Sequence, residues 1–417
     1  MNPVPNGPER ERWLAPRALL LGTGVAFLAC CAAGRVVSRL DLYQDVHRFH
    51  GLLSPYALYY PTASEVCQLA RRRLDPAKNP VVVGGSSILH GVWQGRDHFW
   101  TNRLQTLLGK RRQVLNLACI GARCAEFGGV AAEALAREYP RLILVIDVPP
   151  GDFWQCDPDG DVYKYFFWDA HSRGLLQIDP EREARLREVR AEREYVPGAA
   201  AGDTGSPRPP VKGEKQADLR TQMACDRLCY FNELWNAVTY HGVSTVWTPL
   251  TAAHFPAPRV RYADPDPGDV PVKFRYRPQN NPIRLEYLRA LVHDRVHKAA
   301  GRWEENPASG SWAVFDRAAR TCLPEEMRRR TLVVVPWESP YYRQQLTPDE
   351  QAAYPAVSRL TVRHLQALGF AAVEVGRGLT ADDYLDHCHL LRAGGVKMAA
   401  AVASAVEQLT RRLGHGK

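Results

Sequence analysis

The sequence lacks several features that would assign it to a common class of protein. Its net charge of +9 is spread over many arginines, and no lysine-rich block with interleaved aromatic residues occurs. We therefore expect no nucleic-acid partner, since a generally basic surface suits anionic lipid or anionic glycan at least as well. Hydrophobic residues make up 45% of the chain and charged residues 24%, which excludes a largely disordered protein.

The ten cysteines also lack a metal-binding pattern, because no Cys-x-x-Cys pair is followed by a matching second pair. The clustered carboxylates of Asp157, Asp159 and Asp161 could bind calcium, but they lack the ordered spacing and distal glutamate of an EF-hand loop. A solvated turn is the preferred interpretation, and we expect no metal site. In an oxidising compartment some cysteines could form disulfides, but their spacing does not assign the pairs.

Long apolar runs are absent too, with one exception at the N-terminus. Residues 18–34 carry no charge and follow Arg10, Arg12 and Arg17. This pattern predicts a signal anchor, with residues 1–17 in the cytoplasm, residues 35–78 as a juxtamembrane segment and the body extracytoplasmic, in the periplasm or at the cell surface. A cleaved signal peptide or a lipoprotein-type cleavage near Cys30 is the alternative.

What the sequence does contain is an α/β rhythm in two blocks, residues 79–152 and residues 327–417. The predicted strands are Val81–Val83, Gln113–Leu117, Leu142–Val148, Thr331–Pro336 and Ala371–Val375, and the predicted helices are Asp97–Leu108, Ala125–Tyr139, Ser358–Leu368 and Gly395–Leu413. Strands this continuous in Val, Ile and Leu favour an α/β, three-layer sandwich with a central, mostly parallel five-stranded sheet.

A large insertion, residues 153–326, separates the two blocks and is less regular. It contains a charge-laced helical pattern over Glu181–Tyr195, a predicted disordered loop at 197–213, an aromatic-rich stretch over Leu228–Trp247 and a Pro- and Asp-rich loop over Arg259–Asn281. A separate second domain is the alternative, but this stretch would be its only material.

The first chemical candidate is a serine at the end of the first predicted strand. Gly84 and Gly85 permit a tight turn before Ser86 and Ser87. Ligands of open α/β sheets bind at the carboxyl ends of the strands, so a hydroxyl here could serve as a nucleophile. The alternative is that the two serines only cap the following helix.

The second candidate lies near the C-terminus, where Asp386 precedes His389 by three residues. A serine nucleophile needs a base, and the base needs a carboxylate that fixes its tautomer. His387 is a competing histidine, and an exposed polar loop is the alternative for the whole segment.

Together these segments resemble the SGNH (GDSL-like) hydrolase superfamily. Gly85-Ser86-Ser87 resembles its first block, and Asp386-x-x-His389 followed by Leu390 and Gly394 resembles its last block. The resemblance implies an SGNH/flavodoxin-like sheet, Ser87, Asp386 and His389 as catalytic residues, and an oxyanion hole formed by Ser87 and by Gly121 after the second strand. The family's asparagine after the third strand has no counterpart, because the chain there reads Asp147-Val148-Pro149-Pro150-Gly151-Asp152.

The resemblance implies a membrane-anchored serine esterase or O-acyltransferase that acts through an acyl-enzyme and requires no cofactor. Its substrate would be an acyl ester, with a cell-surface or exported polysaccharide as a possible acceptor and a membrane acyltransferase as a possible partner. Ser86, Asp152, Tyr341 and Tyr342 are candidates for lining the substrate cleft. The alternatives are a catalytically weak scaffold that binds glycan or a partner, and a lipid-directed esterase at the bilayer surface.

Overall fold

The structure is a computed structural model and describes most of the chain outside the predicted insertion. The described residues are 8–40, 52–54, 57–58, 62–92, 94–95, 98–119, 122, 128–149, 161–176, 178, 180–184, 230, 233–234, 238, 316 and 319–414. The predicted loops at 197–213 and Arg259–Asn281, and nearly all of the aromatic stretch Leu228–Trp247, lie outside them. Of the charge-laced pattern, residues 181–184 are helical and the remainder lies outside the described part.

The chain divides into two compact units, Met1–Leu42 with Ser206–Ala257, and Tyr43–Gly205 with Pro258–Lys417. In the first unit a long helix, α1 (Pro8–Val37), contains the predicted apolar run. Its segment Pro16–Val37 has 22 residues and a mean hydropathy of 1.8, and only 6% of its most apolar window is buried. About 20 apolar residues suffice to cross a bilayer as a helix. By length and composition, α1 could therefore span a membrane.

The second unit is built on one five-stranded parallel sheet, which confirms the predicted α/β class. Its strands are β3 (Asn79–Val83), β4 (Arg112–Asn116), β5 (Ile143–Asp147), β6 (Thr331–Pro336) and β7 (Ala371–Val375). They are ordered β4-β3-β5-β6-β7, and every neighbouring pair is parallel. A short antiparallel pair, β1 (Leu52–Ser54) and β2 (Ala57–Leu58), precedes the sheet.

The central strands are buried along their whole length, which explains why they could be identified from sequence. Every residue of β5 and of β6 is buried. A parallel strand covered on both faces needs apolar residues at successive positions, so it appears in the sequence as a continuous β-branched run.

Helices cover the sheet and are α2 (Ala63–Arg73), α3 (Ser87–His90), α4 (Trp100–Leu108), α5 (Gly128–Leu135), α6 (Asp161–Ser172), α7 (Glu325–Arg329), α8 (Pro340–Arg343), α9 (Pro348–Ala367) and α10 (Arg392–Arg412). The main hydrophobic core joins sheet residues such as Val83 and Val145 to Trp100 of α4 and Met398 of α10. Trp100 is 1% exposed and Met398 is fully buried, so these two helices fix one layer of the fold.

Among the helices, α2, α6 and α9 differ most from the sequence prediction. α6 begins at Asp161, in the segment where a solvated turn was expected. The segment expected to be only juxtamembrane contains α2, which begins at a capping box between Thr62 and Glu65. The helix predicted from Ser358 begins at Pro348, because Thr347 and Glu350 form a second capping box there. Pro355 lies inside this helix, and an internal proline argues against a continuous helix when only the sequence is considered.

Candidate functional site

The first predicted serine segment forms a sharp turn between β3 and α3. Gly85 has a φ of +89°, a left-handed conformation that favours glycine. A Cβ atom at this position would lie 2.2 Å from Oδ1 of Asp147, so no side chain fits there without displacing the carboxylate. The turn therefore depends on glycine for both its conformation and its space.

The two serines of this turn have different roles. Ser86 is the N-cap of α3, and its hydroxyl accepts from the amide of Ile88 at 3.2 Å. The same hydroxyl donates to Asp147 Oδ2 at 2.5 Å. The sequence left open whether both serines only cap the helix. Ser86 is the cap, so this role does not involve the Ser87 hydroxyl. The Ser86 hydroxyl is directed at Asp147 and the residue is partly exposed, so its role in a substrate cleft stays a prediction.

The predicted Asp-x-x-His segment forms a tight loop closed by a bridge between Tyr384 and Leu390. Asp386 is 4% exposed and lies inside this loop. Its Oδ1 accepts from the amides of Cys388 at 3.0 Å and His389 at 2.9 Å. An aspartate that binds amides two and three residues ahead stabilises such a turn locally, so the spacing of Asp386 and His389 has a structural cause.

The structure brings the two segments together although they are 302 residues apart in sequence. His389 Nδ1 lies 2.7 Å from Asp386 Oδ2, and His389 Nε2 lies 2.8 Å from Ser87 Oγ. With Asp386 as a carboxylate, Nδ1 donates to it, and the unprotonated Nε2 then accepts from the Ser87 hydroxyl. This order of donors is the one that a serine nucleophile, its base and the orienting carboxylate require.

Contacts from two other segments, after β6 and after β3, hold the histidine loop against the strand ends. The amide of Ser339, after β6, donates to the carbonyl of His387 at 2.7 Å, and the Tyr384 hydroxyl donates to the carbonyl of Trp337 at 2.9 Å. The Gln94 side chain donates to the carbonyl of Leu390 at 3.0 Å. The position of His389 is thus set by the loops after β3, β6 and β7 together.

Gly394, which the resemblance singled out, has a steric role at the start of α10. A Cβ atom there would lie 2.5 Å from the carbonyl oxygen of Asp383. That carbonyl accepts from the amide of Leu391 at 2.8 Å. The glycine therefore permits α10 to approach the base loop closely.

The electrostatics of the site favour an ionised Asp386 beside a histidine that binds protons tightly. Burial raises the pKa of Asp386, but the hydrogen bond and charge of His389 outweigh burial and hold this pKa well below its usual range. Burial lowers the pKa of His389, whereas Cys388 and Asp386 raise it, and the net pKa lies well above the ordinary value. Each partner stabilises the charged form of the other.

Cys388 is a site residue that sequence reasoning missed. Its Sγ lies 3.9 Å from His389 Nδ1. Burial raises the pKa of the thiol, but the positive charges of His389 and His387 lower it to a net value below the ordinary one. The available signal was its position between two histidines. Another cysteine, Cys67, shows the contrast, because burial raises its pKa to about 12.

Asp386, Cys388 and His389 present one oxygen, one sulfur and one nitrogen within 4.8 Å of one another, a spacing that a metal ion could use. The hydrogen bonds between Asp386 and His389 account for this spacing by themselves.

The competing histidine, His387, does not contact the serine in the way His389 does. Its Nδ1 lies 3.7 Å from Asp386 Oδ1.

The two tyrosines predicted to line a cleft, Tyr341 and Tyr342, lie on α8, and Tyr342 packs against the histidine loop. Tyr342 is buried, and its ring centroid lies 6.1 Å from that of His387 in an edge-on arrangement. Tyr341 is partly exposed and packs edge-on against Tyr342 at 5.7 Å. Tyr342 thus supports the loop from inside, and Tyr341 is the better placed of the two to meet a substrate.

Three predicted features, Gly121, Asp152 and the carboxylates at 157 and 159, lie outside the described residues. The chain leading to Gly121 is nevertheless close to the serine turn. The amide of Cys119 donates to the carbonyl of Gly85 at 3.2 Å.

Comparison with protein-family models, with curated proteins and with solved structures finds no match to this chain.

Proposed function

We propose that the chain is a serine esterase or O-acyltransferase of SGNH type, in which Ser87 forms an acyl-enzyme. The observation that carries this proposal is the continuous hydrogen-bonded series from Ser87 Oγ through His389 to Asp386. The Ser87–His389 contact joins residues 302 positions apart, and both contacts have the lengths expected of a nucleophile, its base and the orienting carboxylate.

In the proposed reaction, Ser87 Oγ attacks the acyl carbonyl carbon while its proton passes to His389 Nε2. The tetrahedral intermediate collapses when the C–O bond to the alcohol breaks and His389 returns the proton to that leaving oxygen. Water or a sugar hydroxyl then attacks the acyl-enzyme while His389 takes its proton. The bond from Ser87 Oγ to the acyl carbon breaks, and His389 returns that proton to Ser87 Oγ. Asp386 keeps the Nδ1 proton in place and stabilises the imidazolium throughout.

The oxyanion of the intermediate would be stabilised by the amide of Ser87 at the start of α3, where backbone N–H groups lack an intrahelical acceptor. Gly121 is the second donor that the resemblance implies. Two donors can support the reaction, although removal of one typically costs about 10²–10³-fold in rate.

The order of the sheet supports an SGNH/flavodoxin-like layout with residues 153–326 as an insertion. Numbered along the sheet domain, β4-β3-β5-β6-β7 is the order 2-1-3-4-5, the flavodoxin-like arrangement in which ligands bind at the carboxyl ends of the strands. Ser87 and His389 lie at those ends. Their position in the fold is therefore one where catalysis is common.

The proposed location is the outer side of a membrane, with α1 as an anchor. The composition of α1 and the basic residues before it support this orientation. Cys322 is disulfide-bonded, a state typical of oxidising compartments. An acyl ester of a surface or exported polysaccharide is the proposed substrate class, with a membrane acyltransferase as the donor-side partner in the transfer route.

Covalent labelling with a fluorophosphonate tests the proposal on the full chain in detergent. We expect peptide mass spectrometry to find the adduct on Ser87, and we expect the adduct to be lost in His389→Ala. His364→Ala is the matched control, because His364 also pairs with an aspartate, Asp316, away from the serine. An unlabelled but folded chain would favour the scaffold function, which the missing asparagine after β5 also supports.

A further inference from the structure

Asp147 is a buried carboxylate beside the proposed nucleophile. The reaction described above assigns no role to it. It is the last residue of β5, next to β3 in the sheet, and is 1% exposed. Among the described residues no lysine or arginine forms an ion pair with it. A carboxylate without a cation is costly to bury. Other contacts must therefore offset the cost of burying Asp147 at the end of β5.

Both carboxylate oxygens of Asp147 are directed at the turn that carries Ser87. Oδ1 accepts from the amide of Ser86 at 2.8 Å, and Oδ2 accepts from the Ser86 hydroxyl at 2.5 Å. The amide of Ser86 can only donate, so Oδ1 accepts from it. With Asp147 ionised, Oδ2 accepts from the Ser86 hydroxyl as well.

The turn is shaped to admit this carboxylate. Gly85 leaves the space in which Oδ1 lies, since a Cβ atom there would approach it to 2.2 Å. The positive φ of Gly85 and the cap made by Ser86 then place Ser87 at the first position of α3. Asp147 thus holds the residue immediately before the nucleophile at two points.

Asp147 also lies near the base, because it binds Ser86, the neighbour of Ser87, and Ser87 Oγ is 2.8 Å from His389 Nε2. Burial raises the pKa of Asp147, while the Ser86 hydrogen bonds and the positive charge of His389 lower it, and the net pKa is above the ordinary value. The other titratable groups that act on His389 are Asp386 and Cys388 from its own loop. Glu338, from the loop after β6, acts on His387.

We propose that Asp147 is a positioning residue for the serine, which holds the Gly85–Ser87 turn through Ser86 and supplies a second negative charge to the His389 imidazolium. This inference rests on the proposed function for its catalytic meaning. Its electrostatic part is a statement about His389 and can be measured without any substrate.

The experiment compares the full chain with Asp147→Asn in detergent, using two readouts. The first is the rate of fluorophosphonate labelling at Ser87 as a function of pH. The second is the pKa of His389, measured by NMR on protein labelled at histidine Cε1, with His389→Ala assigning the signal. Asp147→Asn keeps the size of the side chain and removes the charge, so the folded state can be checked by thermal unfolding of both proteins.

We expect labelling of Asp147→Asn to slow by about 10–100-fold, since a misplacement of a reacting group by about 1 Å can cost about 10²-fold in rate. Loss of a negative charge destabilises the imidazolium, so the pKa of His389 and the acid limb of the labelling profile should both move to lower pH. Ser86→Ala should slow labelling and move the limb less than Asp147→Asn does, because it removes one hydrogen bond and leaves the carboxyl group in place.

Asp169→Asn is the matched control. Asp169 is also buried in the sheet unit with a pKa raised by burial, but it accepts from the amide of Ala63 and pairs with Arg173, not with the serine turn. We expect this variant to lose stability and to leave the pKa of His389 unchanged.

An unchanged pKa of His389 in Asp147→Asn, or a shift of equal size in Asp169→Asn, overturns the proposal whatever the labelling rate. If the wild-type chain is not labelled, the proposed function fails instead, and the NMR titration still decides whether Asp147 acts on His389.

Discussion

Replacement of Asp386 by asparagine should remove most of the reactivity of Ser87 while leaving the geometry of the loop intact. Asp386 Oδ1 accepts from the amides of Cys388 and His389, and the amide oxygen of an asparagine can accept both. The other oxygen, 2.7 Å from His389 Nδ1, would become an NH₂ group. Because this group donates, Nδ1 must accept, and the ring proton moves to Nε2.

The consequence for Ser87 follows from this change of tautomer. A protonated Nε2 faces Ser87 Oγ and can no longer take its proton. Loss of the orienting carboxylate in serine hydrolases costs about 10⁴-fold in rate, so we expect labelling of Asp386→Asn to slow by about 10³–10⁴-fold near neutral pH. That loss corresponds to about 4–5.5 kcal/mol of activation free energy.

The assay is the second-order rate of fluorophosphonate labelling at Ser87, with thermal unfolding as a check on the fold. Asp383→Asn is the control, because Asp383 is a buried carboxylate three residues away that bonds Thr380 and Lys397 but not the histidine. We expect Asp383→Asn to lose stability and to keep labelling within about tenfold of the wild type, below the size of an orienting-carboxylate effect. A folded Asp386→Asn chain that labels within tenfold of the wild type would refute the proposed role of Asp386.

Three further predictions concern other parts of the molecule. Since the pKa of His389 is raised above its ordinary value of 6.5, the labelling rate should still be increasing with pH above 6.5. Cys388→Ser should move this acid limb of the pH profile to lower pH, because Cys388 contributes to the raised pKa. A wild-type acid limb below pH 6.5 would contradict a raised pKa of His389. Gly85→Ala should destabilise the fold and slow labelling at least as much as Asp147→Asn, since its Cβ would displace the Asp147 carboxylate; wild-type stability and rate would show that the turn has room. Leu21→Arg adds a charge within α1, which costs about 2.5–3.5 kcal/mol for membrane insertion. The variant should shift the chain from the carbonate-resistant membrane fraction toward the soluble fraction. An unchanged distribution would argue against α1 as an anchor.

The sheet was predictable from sequence because its strands are defined locally. Thr331–Pro336 and Ala371–Val375 were predicted with the bounds that the structure gives, and the other three strands differ by one or two residues at their ends. Burial on both faces forces a continuous apolar run, as in β5 and β6, where every residue is buried. Helix ends were less predictable, as Pro355 shows, because a capping box upstream can begin a helix that a proline interrupts in the sequence pattern.

The candidate site was predictable only in its parts. The turn before Ser87 and the spacing of Asp386 and His389 are local features, since two glycines permit the one and an aspartate bonded to nearby amides favours the other. Asp147 was missed because nothing in its immediate sequence distinguishes a carboxylate that faces the serine turn from one that faces solvent. Cys388 lies between two histidines in the sequence, but only the folded loop places its thiol beside His389.

By itself, the sequence determined which residues could perform the chemistry and which segments would become strands, because both depend on neighbours a few positions away. Only the tertiary structure decided that Ser87 and His389 meet across 302 residues. That meeting depends on the order β4-β3-β5-β6-β7, which brings the carboxyl ends of β3, β5, β6 and β7 to one edge. Strand order is fixed by how the helices pack over the whole sheet, and no single segment of the chain contains that information.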